Sequence, residues 1–212
     1  MHEDLIKWFF NENGLSREGA PPVAALEHFQ IKLLLENIPV EETLANTLRE
    51  KLPGREEAVA AEKADIEAAD TAEKLIRFMR KGTDILNQQF LVRRAVEFEN
   101  DTVPEIIRML KTSMNDLFIE LSVRVLAACT LDIADELVEL CDEVRGAYAQ
   151  SMVLVALGFK ASEQRIPWIV NKYSELKKAY PDEGFCYGAY FALYEMEARF
   201  YSDSKKFSTQ PD

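Results

Sequence analysis

The chain has 212 residues, of which 48 % are hydrophobic and 29 % charged, and its formal net charge is −12. That length makes one large domain or two small ones, and that apolar content excludes wholesale disorder. The acidic balance argues against nucleic acid, because neutralising phosphates takes a basic stripe.

The acids are unevenly placed. Residues 36–143 hold 24 acids against 13 bases, residues 144–212 hold 8 against 9, and the first 35 hold 5 against 3. An acidic centre suits a basic protein surface or peptide, or it serves solubility alone. No apolar run approaches the roughly 18 to 20 residues that cross a bilayer. Met1-His2-Glu3-Asp4 carries acids where a secretory signal carries a basic segment, so a cytoplasmic location is expected. Cys129, Cys141 and Cys186 are odd in number and widely spaced, and read as buried thiols in a reducing compartment.

Taken in chain order, residues 4–12 predict a short helix ending at Asn13-Gly14. Pro21-Pro22 opens a second helix that runs to about Asn37, and residues 1–38 together read as an N-terminal helical cap. From Pro39 a helical segment with Leu44 and Leu48 inward ends at Pro53-Gly54, and Ala- and Glu-rich residues 55–68 follow as a more exposed partner.

A 31-residue period then governs the chain. Asp70-Thr71-Ala72-Glu73-Lys74-Leu75-Ile76-Arg77-Phe78-Met79 returns as Asp101-Thr102-Val103-Pro104-Glu105-Ile106-Ile107-Arg108-Met109-Leu110. It returns again as Asp132-Ile133-Ala134-Asp135-Glu136-Leu137-Val138-Glu139-Leu140-Cys141. A fixed period of this size marks stacked copies of one supersecondary unit. Leu75, Ile106 and Leu137 align, as do Met79, Leu110 and Cys141, which places a buried face on the first helix of each copy. The second helices align at Phe90, Leu121 and Met152, and at Val96, Ala127 and Gly158. Residues 117–129 and 151–159 are apolar almost all round, so neighbours must cover them on both sides. Asp70, Asp101 and Asp132 sit where N-caps belong, Thr102 with Glu105 has capping-box spacing, and Pro104 falls in the first helical turn.

A shifted copy begins near Ile166-Pro167, and a longer connection through Tyr180-Pro181-Asp182-Glu183-Gly184 precedes its second helix. The repeat units are therefore expected at about 39–69, 70–100, 101–131, 132–163 and 164–201. Eleven of the 21 aromatics fall in the last 48 residues, as expected of a terminal cap, a homo-oligomer interface or a ligand surface. Residues 202–212 read as a polar, disordered tail.

With two helices per copy, recurring cap positions and a period near 31, the segment from about Pro39 to Phe200 resembles the short HEAT-like repeats. These are known from bilin lyase-type proteins and bacterial HEAT-like scaffolds. The period is shorter than the roughly 40 to 47 residues of ordinary HEAT and armadillo units. The resemblance implies an all-α fold: a right-handed α–α superhelix, a HEAT-like solenoid of about five helix pairs. It also implies that the second helices, near 87–98, 117–129 and 148–159, line a concave ligand-facing surface. HEAT-like DNA glycosylases bind DNA in a basic groove, and the acidic repeats here depart from that pattern.

Chemistry-bearing motifs are scarce. His2 lies at the terminus and His28 beside Phe29, with no metal-binding spacing, phosphate loop or nucleophile elbow in the chain. No metal and no cofactor are expected. Across repeats, Gln89 and Glu120 share a register, as do Arg93 and Arg124, with Arg94 beside the former. They form either a ladder that receives an acidic group or a set of local helix pairs. The expected function is a non-enzymatic protein- or peptide-binding scaffold. The alternatives are an immunity-type inhibitory binder that covers a basic partner, and a HEAT-like enzyme or lyase using the groove.

Overall fold

The computed structural model describes residues 1–13 and 55–201, and these form ten α-helices and two 3-10 turns with no strand. In chain order the helices are α1 (His2–Glu12), α2 (Glu56–Glu67), α3 (Ala72–Lys81), α4 (Ile85–Glu97) and α5 (Glu99–Leu110). They continue as α6 (Asp116–Ala128), α7 (Ala134–Glu143), α8 (Ala147–Lys160), α9 (Ile166–Ala179) and α10 (Tyr187–Phe200). The 3-10 turns, Glu163–Arg165 and Gly184–Cys186, lead into α9 and α10. The helix expected from Pro21 to Asn37, the first helix of the unit at 39–69 and the tail at 202–212 all lie outside the described residues.

The second helices start in step: α4 at Ile85, α6 at Asp116 and α8 at Ala147, each 31 residues after the last. They also pack in series, α2 on α4, α4 on α6, α6 on α8 and α8 on α10. The first helices pack α3 on α5 and α5 on α7. On α3, Leu75, Ile76 and Met79 are buried, a stripe at helical spacing. Complete burial of such a side chain contributes about 1.5 to 3 kcal/mol. On α6, eight residues from Phe118 to Ala127 are buried, so neighbours do cover this helix nearly all round. On α2, Ile66 is the buried residue, in keeping with its Ala- and Glu-rich composition.

The tightest contact lies between α8 and α10. A Cβ at Gly188 would meet the carbonyl oxygen of Ser151 at 1.9 Å, and one at Gly158 would meet Ala192 Cα at 2.6 Å. These two glycines let the helices approach closely.

The helix starts correct the sequence reading. The N-cap of α3 is Thr71, whose Oγ1 accepts from Lys74 N at 3.4 Å, while Asp70 pairs with the Lys74 ammonium at 2.7 Å. Asp101 lies inside the first turn of α5, and Asp132 precedes Ile133, the side-chain-silent N-cap of α7. The acids thus act on the positive end of the helix dipole, not through a cap hydrogen bond. In α5 an extra turn, Glu99–Thr102, precedes the repeat register and pushes Pro104 into the second turn. The capping box does not form. The Thr102 hydroxyl instead lies 2.7 Å from the Ala95 carbonyl and 2.9 Å from that of Phe98, sharing its one proton, while Glu105 pairs with Arg108.

Of the expected N-terminal cap, only α1 lies among the described residues. Helix α1 packs against α9 and α10, at the C-terminal end of the stack. Phe9 meets Tyr173 edge-on at 4.7 Å between ring centroids, and Phe10 meets Tyr190 at 5.4 Å. The aromatic C-terminal pair is therefore a seat for α1.

Candidate functional site

The five residues singled out from sequence lie on α4 and α6, where most take part in links between helices. Arg124 donates from Nη1 to Gln88 Oε1 at 3.2 Å, joining α6 to α4. Glu120 accepts from the Tyr148 hydroxyl at 2.8 Å, joining α6 to α8. Arg94 ion-pairs with Glu97, donates to the Ala69 carbonyl at 3.2 Å and lies 4.8 Å over the Phe98 ring. Arg93 is half-buried, with its Nε out of contact with solvent and without a hydrogen-bond partner among the described residues. Gln89 buries its Oε1 one turn earlier. The Arg124–Gln88 and Glu120–Tyr148 contacts join residues of different register and fasten successive second helices to one another.

Two grooves among the described residues lie between first helices. A groove of about 860 Å³ runs between α3 and α5. Its floor is apolar, made by Ile76 and Met109, and its walls carry Arg77, Arg80, Lys81 and Arg108 against Glu73 and Glu105. Four cations against two carboxylates make it locally basic in a chain whose overall balance is −12. A second groove of about 480 Å³ follows between α5 and α7, with Pro104, Ile107 and Ile133 in its lining and Arg108 shared by both.

Each cation has a structural reason for its position. Helix α3 ends with Arg80 and Lys81, in the last turn where the dipole favours positive charge. Gly82, at φ +93°, then turns the chain in a conformation that L side chains rarely adopt. Asn115 Nδ2 donates to the Arg80 carbonyl at 3.0 Å and holds that end against the start of α6. Arg108 grips Glu105 with two guanidinium nitrogens, which holds the Glu105 carboxyl below its ordinary range and raises Arg108. Arg77 reaches Glu73 only at 3.6 Å. Arg80 and Lys81 make no ion pair among the described residues.

Sequence reasoning missed this groove, although part of its signal was present. Arg77 and Arg108 occupy the same column of the 31-residue alignment, as do Ile76 and Ile107. All three cysteines are buried and unpaired. Burial pushes the Cys141 thiol up to about 12, far from the thiolate form that a nucleophile or metal ligand requires. Among the described residues no cluster of His, Cys, Asp and Glu could hold a metal, and no helix is long and apolar enough to cross a membrane.

No family model, no curated protein and no solved structure matches this chain. The case for a repeat family therefore rests on the chain's own internal period.

Proposed function

We propose that this chain is a HEAT-like α–α superhelix acting as a non-enzymatic, protein- or peptide-binding scaffold in the cytoplasm. The observation that carries this reading is the serial packing of the second helices, three of which start exactly in 31-residue steps. Stacking of this kind commits one side of every unit to its neighbours and leaves the other as an extended surface. The grooves between first helices are open troughs along that surface, and open troughs suit a chain segment better than a small molecule. Function then resides in the exposed groove residues, since fold alone does not specify it.

The acidic face of α7 favours a second reading, an inhibitory binder that covers a basic partner. Asp132, Glu136 and Glu139 are exposed and make no ion pair among the described residues. A basic surface laid on α7 would find these carboxylates unoccupied.

Affinity capture with the full-length chain tests both readings, using wild type, the Arg80→Glu/Lys81→Glu variant and the Glu136→Lys/Glu139→Lys variant. The scaffold reading expects a stoichiometric protein partner on wild type. Loss of that partner in the α7 variant alone selects the inhibitory binder. Retention of no protein by wild type, together with stabilisation by a small molecule in a thermal screen, overturns both in favour of an enzyme.

A further inference from the structure

We infer that the groove between α3 and α5 docks an acidic, partly apolar peptide segment of a partner protein. The inference deepens the scaffold reading and rests on it. Its starting point is an imbalance of pairing. The chain has 37 acids and 25 bases, so a basic side chain has an ample choice of carboxylates. Arg80 and Lys81 nevertheless stand side by side at the groove with no ion pair among the described residues, and both are exposed. The negative end of the α3 dipole explains why cations sit there. It does not occupy their donors, which number five on a guanidinium and three on an ammonium.

Of the other two cations, Arg77 is held loosely and Arg108 by a two-point grip. Arg77 lies 3.6 Å from an exposed Glu73, whereas Arg108 is engaged by both carboxylate oxygens of Glu105. An incoming carboxylate can replace Glu73 at Arg77 at little cost, because exposed single-contact ion pairs are weak. Two arginines add the planar fork that matches a carboxylate in two-point contact.

Ile76 and Met109 define the rest of the occupant. Ile76 is 4 % exposed and Met109 half-buried, so together they give the trough an apolar floor. A purely ionic ligand would leave that floor wet, whereas a segment mixing acids with apolar side chains covers it. Methionine suits such a role because its unbranched thioether adapts to varied shapes. The trough is open along its length and bounded by two helices, so a small anion within it stays largely solvated. An extended peptide buries more surface there and reaches both pairs of cations. Net repulsion from the acidic chain is screened beyond about 8 Å at physiological ionic strength, so the local cations dominate close approach.

The test uses the full-length chain and a fluorescein-labelled peptide of alternating Glu and Leu, read by fluorescence anisotropy. The expected result is binding that weakens as salt rises, and that falls about tenfold or more in Arg80→Glu/Lys81→Glu, the order of loss for charge-assisted contacts. Arg77→Gln should weaken binding in the same direction, while Lys178→Glu, on α9, should leave it unchanged. Arg80 and Lys81 are exposed and make no ion pair among the described residues, so the variant should still melt cooperatively, its midpoint lowered only by what reversed charge costs at the end of the α3 dipole. Binding that the double variant does not alter overturns the inference and leaves the scaffold reading standing, because the peptide then docks elsewhere. Failure of wild type to bind the peptide also overturns it, and the capture experiment then judges the scaffold reading separately. A labelled single-stranded oligonucleotide that displaces the peptide and is lost in the same variant overturns it in favour of phosphate recognition.

Discussion

Asn115 reaches from the start of α6 to the end of α3, donating from Nδ2 to the carbonyl of Arg80 at 3.0 Å. Its Oδ1 meanwhile accepts from Phe118 N at 3.0 Å, so one amide caps the beginning of one helix and the end of another. Asn115→Ala removes both contacts and should cost about 1 to 2 kcal/mol, read as a lower denaturation midpoint with unchanged slope. Asn115→Asp keeps the N-cap acceptor and loses the donor, so it should recover part of that loss. Equal losses in the two variants would show that the Arg80 contact is the one that matters.

Gly188 predicts the largest single destabilisation. Its amide donates to Ser151 Oγ at 3.1 Å, and a Cβ would lie 1.9 Å from the Ser151 carbonyl oxygen. That neighbour is backbone inside α8 and cannot rotate away, so α10 itself must shift. Gly188→Ala should cost about 3 kcal/mol, the upper range for forced overpacking. Gly146→Ala is the control, since its Cβ would meet the flexible Met114 side chain at an ordinary 3.6 Å. Thermal melts compare the two, and similar midpoints would refute the close approach of α8 and α10.

Ser122 offers a change of opposite sign. It is fully buried on α6, and its hydroxyl has no hydrogen-bond partner among the described residues. An unsatisfied buried donor carries a desolvation cost, and alanine also forms helix more readily. Ser122→Ala should therefore raise stability by about 1 kcal/mol, a gain that urea denaturation would resolve. A loss on substitution would mean that the hydroxyl finds a partner after all.

Alkaline pH should loosen the fold through Tyr173. Burial pushes its phenol up to about 12, and the Cys141 thiol likewise to about 12. In the unfolded chain these groups ionise near about 10 and about 8.5, respectively. Above those values the unfolded state has released protons that the folded state still binds, so stability falls as pH rises toward about 12. Denaturation at stepped alkaline pH should show that decline, and Tyr173→Phe should flatten it. Tyrosinate absorbance gives the second readout, with the Tyr173 contribution appearing only as the fold opens.

The core columns were the most legible part of the sequence. Leu75, Ile106, Leu137, Met79, Leu110 and Cys141 are all inaccessible to solvent, as their 31-residue alignment implies. A periodic apolar position has one physical explanation, burial, whereas a periodic acid has several. Asp70 and Asp132 each stand one residue before an N-cap while Asp101, in the same register, lies inside the first turn, because any position near the N-terminal end of a helix gains from its dipole. The candidate site was only partly legible for a related reason. The column of Arg77 and Arg108 is visible in the sequence, but whether Arg80 and Lys81 lack partners depends on where every nearby carboxylate ends up. The destination of α1 was not legible at all, since a short amphipathic helix fits any apolar seat of suitable size.

That destination bears on the order in which the molecule is completed. Most contacts among the described helices join helices one or two places apart in sequence and can form as the chain lengthens, which favours rapid propagation. Helix α1 is the exception. The contact of Lys177 Nζ with Asn13 Oδ1 at 3.4 Å spans 164 positions. During synthesis, Phe9 and Phe10 therefore stay undocked until Tyr173 and Tyr190 have emerged, long after the intervening stack can have formed. Docking of α1 thus joins the first described helix to the last two only after the described helices between them can have packed.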